Sequence, residues 1–145
     1  MTSVNTKTYR RAAREDALKA LYAWELGGGL EDDHTVAFPE AFDGRRDEDY
    51  FSFLTGGVKE HRMELDAEIS AFSENWRIER ISKIDLTILR IAIYEMLFSE
   101  DTPCEVSMNE AIELDKKFGS GDGTFVGGIL AGFYRARKNS LPEKG

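Results

Sequence analysis

Apolar positions recur at helical spacing along most of the chain. Residues 9–26 contain no proline or glycine and are rich in alanine and leucine, which predicts a helix stopped by Gly27, Gly28 and Gly29. Residues 30–46 are less regular: Leu30, Val36, Phe38 and Phe42 fit a short helix that Pro39 would interrupt, and Asp43-Gly44 reads as a turn. From Phe51 through Leu54, Val58, His61, Leu65, Ile69 and Phe72 the steps are three or four, so one longer helix is expected. Ser82 to Asp85 ("SKID") has capping-box spacing and opens "LTILRIAIYEMLF", apolar on nearly every face and therefore read as the central helix. Thr102 to Glu105 ("TPCE") is a second capping box with Pro103 at the first helical position. Its helix is expected to end at Gly119 in a left-handed conformation. Ser120 or Asp122 can cap a last helix, "TFVGGILAGFYRARK", in which Gly127, Gly128 and Gly132 would allow close approach to a neighbour. The tail "NSLPEKG" is expected to be disordered. No alternating strand pattern and no internal repeat occur, so the fold class is all-α.

Composition narrows the function. A chain of 145 residues, 41% hydrophobic and 32% charged, suits one compact domain or two small sub-bundles sharing a core, divided here as 1–73 and 74–145. No apolar run reaches the roughly 18–20 residues that span a membrane, and the N-terminus lacks a secretory signal pattern. One cysteine excludes an internal disulfide and fits a reducing cytoplasm. The net charge of −8 argues against broad nucleic-acid binding, so any such binding must be local.

A local basic patch exists. The first twenty residues carry five bases against two acids. On a helical wheel Lys7, Arg10, Arg11 and Arg14 share one arc of about 100°. Ala13, Ala17, Ala20, Leu21 and Trp24 form the core stripe, and Leu18, Tyr22 and Leu26 form a second apolar strip further along the side of the bases. Bases in a first turn oppose the helix dipole, so solvated charge competes with a role in binding an anion such as an RNA backbone.

Catalytic chemistry finds little support. His61 has Glu60 and Glu64 beside it but no second histidine or cysteine in register, and packing on a helix face explains it. Cys104 lies inside a helix-start signal without an adjacent base. "GSGDGTFVGG" follows a helix rather than a strand, which removes the dinucleotide-loop reading. Phe118 and Phe125 flank that loop, where buried packing and base stacking are both open.

Taken in order, "RRAAREDALKALYAWEL", "ISKIDLTILRIAIYEML" and "PCEVSMNEAIELDKKFGSGDGTFVGGIL" resemble the NusB family of bacterial transcription antitermination factors. The resemblance implies two small antiparallel helical bundles packed together, no catalysis and no cofactor. It implies recognition of BoxA-type single-stranded leader RNA of ribosomal RNA operons together with the ribosomal protein NusE, with transcribing RNA polymerase as an indirect partner. By correspondence Arg10, Arg11 and Arg14, with Lys7 on the same arc, would contact RNA, joined by Phe72, Phe118, Asp122 and Phe125. Leu18, Tyr22, Leu26 and Asp85 would face NusE, although Asp85 is also the acid of a capping box. The chain departs from the family pattern at Gly127, where asparagine is common, in a loop one residue short before Phe125, and at Glu105. The resemblance admits a monomer or a homodimer that hides the RNA face. Three rivals stand beside it: a NusB-fold adaptor with little RNA binding, a regulatory fragment like the NusB-like part of certain ribosomal RNA methyltransferases, and an enzyme using His61 or Cys104.

Overall fold

A computed structural model describes residues 3–27, 46–74, 76–119 and 121–144. Among the described residues, six α-helices and two 3₁₀ turns account for the regular structure, and there is no strand. The helices are α1 (Ser3–Gly27), α2 (Glu48–Glu60), α3 (Arg62–Phe72), α4 (Lys83–Phe98), α5 (Cys104–Phe118) and α6 (Thr124–Arg137). The expected short helix and turn within residues 30–44 lie outside the described residues. No described helix is long and apolar enough to cross a membrane. The chain divides into two compact units, residues 1–59 and 60–145, so α3 goes with the second unit.

In the first unit α1 begins well before the expected start at residue 9. It buries Leu18 and Leu21 together with Ala12, Ala13, Ala17 and Ala20, whose small side chains let neighbouring backbone come close. α2 buries Tyr50, Phe51, Leu54, Gly57 and Val58. Asp47 starts α2: its carboxylate accepts from the Tyr50 N–H at 2.9 Å, and its own N–H donates to the Tyr9 carbonyl at 3.1 Å. Arg46 lies over the Phe51 ring at 3.7 Å and donates to Asp16 at 2.9 Å, fastening the approach to α2 onto α1.

The single helix expected from Phe51 to Phe72 is two helices. His61, at φ −105 and ψ 20, ends the first and precedes the second. The three-and-four spacing continues across the break, so the pattern does not reveal it. The His61 ring sits 4.5 Å from Phe98 and 5.9 Å from Tyr94 between ring centres and pairs with Glu64, as expected of a packed side chain.

In the second unit α4 is central. Every residue from 86 to 96 is buried, and α3, α5 and α6 all pack on it. The polar members of that run have partners. Arg90 donates to both carboxylate oxygens of Asp66, at 2.7 and 3.0 Å, and Glu95 accepts from Ser107 at 2.6 Å. The Ser82 hydroxyl accepts from the Asp85 N–H at 3.1 Å, which is half of the expected capping box. α5 starts at Cys104, one residue later than expected, with Pro103 just before it in extended backbone. Cys104 is buried, and burial pushes its thiol pKa up.

The tail is ordered, contrary to expectation. A 3₁₀ turn, Lys138–Ser140, follows α6, and the Lys144 ammonium donates to the carbonyls of Glu95, Met96 and Ser99 at 3.2, 3.2 and 2.6 Å. A cation thus meets the negative end of α4, adding to the Ser99 N–H that the Glu95 carbonyl already accepts. That stop comes from tertiary contact, which the polar composition of the segment does not signal.

Candidate nucleic-acid interface

The basic arc of α1 is narrower than the wheel implies. Lys7 and Arg11 are exposed. Arg10 is half-buried, with its guanidinium 4.1 Å from the Tyr50 ring centre and Nε 3.7 Å from Asp47. Arg14 is only 5% exposed and lies 5.5 Å from the same ring. The expectation of four solvent-facing bases is therefore corrected for Arg14: helix phase sends it to the right side, but Tyr50 occupies that side. The apolar strip is also narrower. Leu18 is 1% exposed and belongs to the core, Tyr22 is half-buried, and Leu26 is 58% exposed.

The second unit holds the other candidate residues around α6. Phe72 meets Phe133 edge-to-face at 6.1 Å, and the Arg137 guanidinium lies 5.3 Å over its ring. Phe125 meets Trp76 edge-to-face at 6.0 Å. Phe72, Trp76, Phe125, Gly128 and Ile129 line an open groove of about 350 Å³. Phe118 is half-buried, with the Lys117 ammonium 5.4 Å over its ring. Trp76, 51% exposed, is the residue that sequence reasoning missed. Its signal was a large aromatic in a polar stretch between two helices. The turn that presents it is held by Ser73, whose hydroxyl donates to the Trp76 carbonyl at 2.7 Å.

Glycine roles also differ from expectation. Gly119 is not left-handed, at φ −89; Gly123 is, at φ 91. A Cβ on Gly119 would lie 2.0 Å from Asp115 Oδ1 and 2.9 Å from the Asp115 carbonyl, so space rather than handedness demands glycine there. Close approach by α6 holds at Gly127, where a Cβ would lie 3.1 Å from Ile112, but not at Gly128, where it would meet nothing within 4 Å.

The link between α5 and α6 closes on a carboxylate. Asp115 is buried, and its Oδ2 accepts from the Gly123 N–H at 3.0 Å. The Asp85 carboxyl on α4 faces it across Gly119, where an added Cβ would strike Asp115 Oδ1 and lie 3.0 Å from Asp85 Oδ1; two carboxyl groups facing each other can hydrogen-bond only by sharing a proton. Burial, and then Asp115, pushes the Asp85 pKa up to about 7. Asp122 is exposed and behaves oppositely: Thr124, whose N–H donates to it at 3.0 Å, holds its carboxyl below the usual range. That bond lies one residue ahead of the cap: the N-cap of α6 is Gly123, with no side-chain cap, so the cap expected of Asp122 does not form, and Ser120 lies outside the described residues.

The model of the NusB family matches residues 11–135. The chain belongs to the NusB family. The transcription antitermination protein NusB of Bacillus velezensis is 44% identical over 123 residues, covering 84% of this chain and 92% of that one. A crystal form of T. maritima NusB superposes with a TM-score of 0.74 at 34% identity, over 87% of this chain and 90% of that one. A chain in a crystal structure of the antitermination factors NusB and NusE with double-stranded RNA reaches a TM-score of 0.77 at 25% identity, over 89% and 98%. The all-helical NusB architecture is thus present here, as the sequence resemblance implied.

Proposed function

We propose that this NusB-family protein is an RNA-binding transcription antitermination factor that recognises BoxA-type leader RNA together with NusE, by recognition and not by catalysis. The observation that carries the reading is the likeness, over 89% of the chain, to a protein crystallised with NusE and RNA, combined with an exposed base pair, Lys7 and Arg11, on an otherwise acidic molecule. Lys7, Arg11 and the accessible part of Arg10 supply phosphate contacts, while Arg14 supports them by packing on Tyr50. Phe118, Phe125 and Phe72, with Asp122, supply base contacts in the second unit. Tyr22 and the exposed Leu26 offer apolar surface to NusE in place of the buried Leu18. RNA polymerase is engaged only through that assembly.

The test is a titration with ribosomal leader RNA at two salt concentrations, with and without NusE. Binding that tightens with NusE and weakens with salt supports the proposal. Each phosphate contact removed, starting with Arg11→Ala, lowers the logarithmic salt slope by about 0.7 for a single strand. A NusE complex that binds leader RNA no better than an unrelated RNA favours the second reading, an adaptor. The enclosure of Arg14 and the pairing of Arg10 with Asp47 give that reading its weight.

A further inference from the structure

We infer that Asp115 is a positioning residue for RNA binding: through a proton shared with Asp85 it clamps the α5–α6 link, and so holds Asp122 and Phe125 in their binding arrangement. This rests on the RNA reading above.

The geometry is that of a link wrapped around one carboxyl group. Gly119 approaches so closely that a Cβ would strike Asp115 Oδ1, Gly121 would place a Cβ 3.4 Å from Oδ2, and the Gly123 N–H donates to Oδ2 at 3.0 Å. Two oxygens, Oδ1 of Asp115 and Oδ1 of Asp85, are buried with no hydrogen-bond partner, and both stand against Gly119. Buried acceptors left unmatched are costly, and one proton between them satisfies both. Asp122 stands within the clamped stretch, and Phe125 lies just beyond it in the first turn of α6.

Among the described residues, Asp115 is the ionisable neighbour that acts on Asp85, which stands two residues past Lys83 on α4. On α4, Arg90 is held by Asp66; on α5, Lys116 lies 3.6 Å from Glu113 and Lys117 lies over Phe118. Arg135 and Arg137 stand in the last turn of α6, away from the link. The sign follows. Asp85 titrates at about 7 in the clamped form and in the ordinary carboxylate range, near 3.8, when released. The clamped form holds more protons between these values, so closing weakens as pH rises through that window and levels off above it.

The test follows amide exchange at Gly123 by NMR in the free protein between pH 5 and 8, corrected for intrinsic exchange. Protection falls by up to about tenfold per pH unit until near pH 7 and then levels. Asp115→Asn keeps a carbonyl for Gly123 and gives Asp85 a permanent N–H donor, so its protection is flat over the same range. Asp85→Asn does the same from the other side and replaces it if Asp115→Asn fails to fold. In wild type, leader-RNA affinity in the presence of NusE follows the Gly123 profile; in Asp115→Asn it is flat, and Asp85→Asn is read by Gly123 exchange alone. A wild-type Gly123 profile as flat as the variants overturns the clamp. An equal pH slope of RNA affinity in wild type and Asp115→Asn overturns the positioning role. No RNA binding at any pH removes the RNA reading and the positioning role with it, while the Gly123 profile still decides the clamp.

Discussion

At Gly119 and Gly128 the same residue type answers two different demands. Gly119→Ala forces a Cβ against Asp115 and is expected to cost about 1–3 kcal/mol, the usual range for overpacking. Gly128→Ala meets open space inside α6 and is expected to stabilise by about 0.5–1 kcal/mol, through helix propensity. Urea midpoints of the two variants check both signs. The sequence marks both positions only as glycine; φ and the neighbouring atoms are tertiary facts. Arg14 makes a similar point. Its helix phase was legible from spacing, but the ring that covers it comes from α2. Asp115 was not legible at all, because in a chain with 27 acidic residues no pairing of two of them stands out.

Among the elements, those set by local chemistry were the readable ones. Ser82 caps α4 as its spacing implies, and Ser82→Ala is expected to cost about 1 kcal/mol by thermal or urea unfolding. α4 itself was legible because a run apolar on nearly every face can only be central. The break at His61 was not, since apolar spacing carries no mark where a helix stops and another resumes in register. The C-terminal strap was missed for the opposite reason: a polar, proline-containing segment looks unstructured, yet one lysine anchors it across a helix end. Lys144→Ala, which removes three hydrogen bonds to carbonyls of Glu95, Met96 and Ser99 around the end of α4, is expected to cost on the order of 1–2 kcal/mol, measured as a lowered urea midpoint.

For the molecule as a whole, stability and the proposed RNA recognition are expected to draw on different charges. Arg90, 3% exposed, ties α4 to α3 through both oxygens of Asp66. Arg90→Met leaves Asp66 without its bidentate partner and is expected to cost about 2–4 kcal/mol, below the fully buried extreme because Asp66 retains some solvent. A double-mutant cycle with Asp66→Asn isolates the pair and is expected to leave the salt dependence of RNA binding untouched. Surface bases such as Lys7 and Arg11 should behave in reverse, shifting that salt dependence while leaving the unfolding midpoint within about 0.5 kcal/mol.

Cys104, the sole thiol of the chain, sits at the start of α5, 8% exposed, and lines an open cavity of about 310 Å³ with Leu141, Pro142 and Lys144 of the C-terminal strap; burial pushes its pKa up. A thiol-directed reagent reacts faster as that corner opens. Labelling rate against denaturant is therefore an intrinsic clock for local opening, obtained without engineering a probe into the protein.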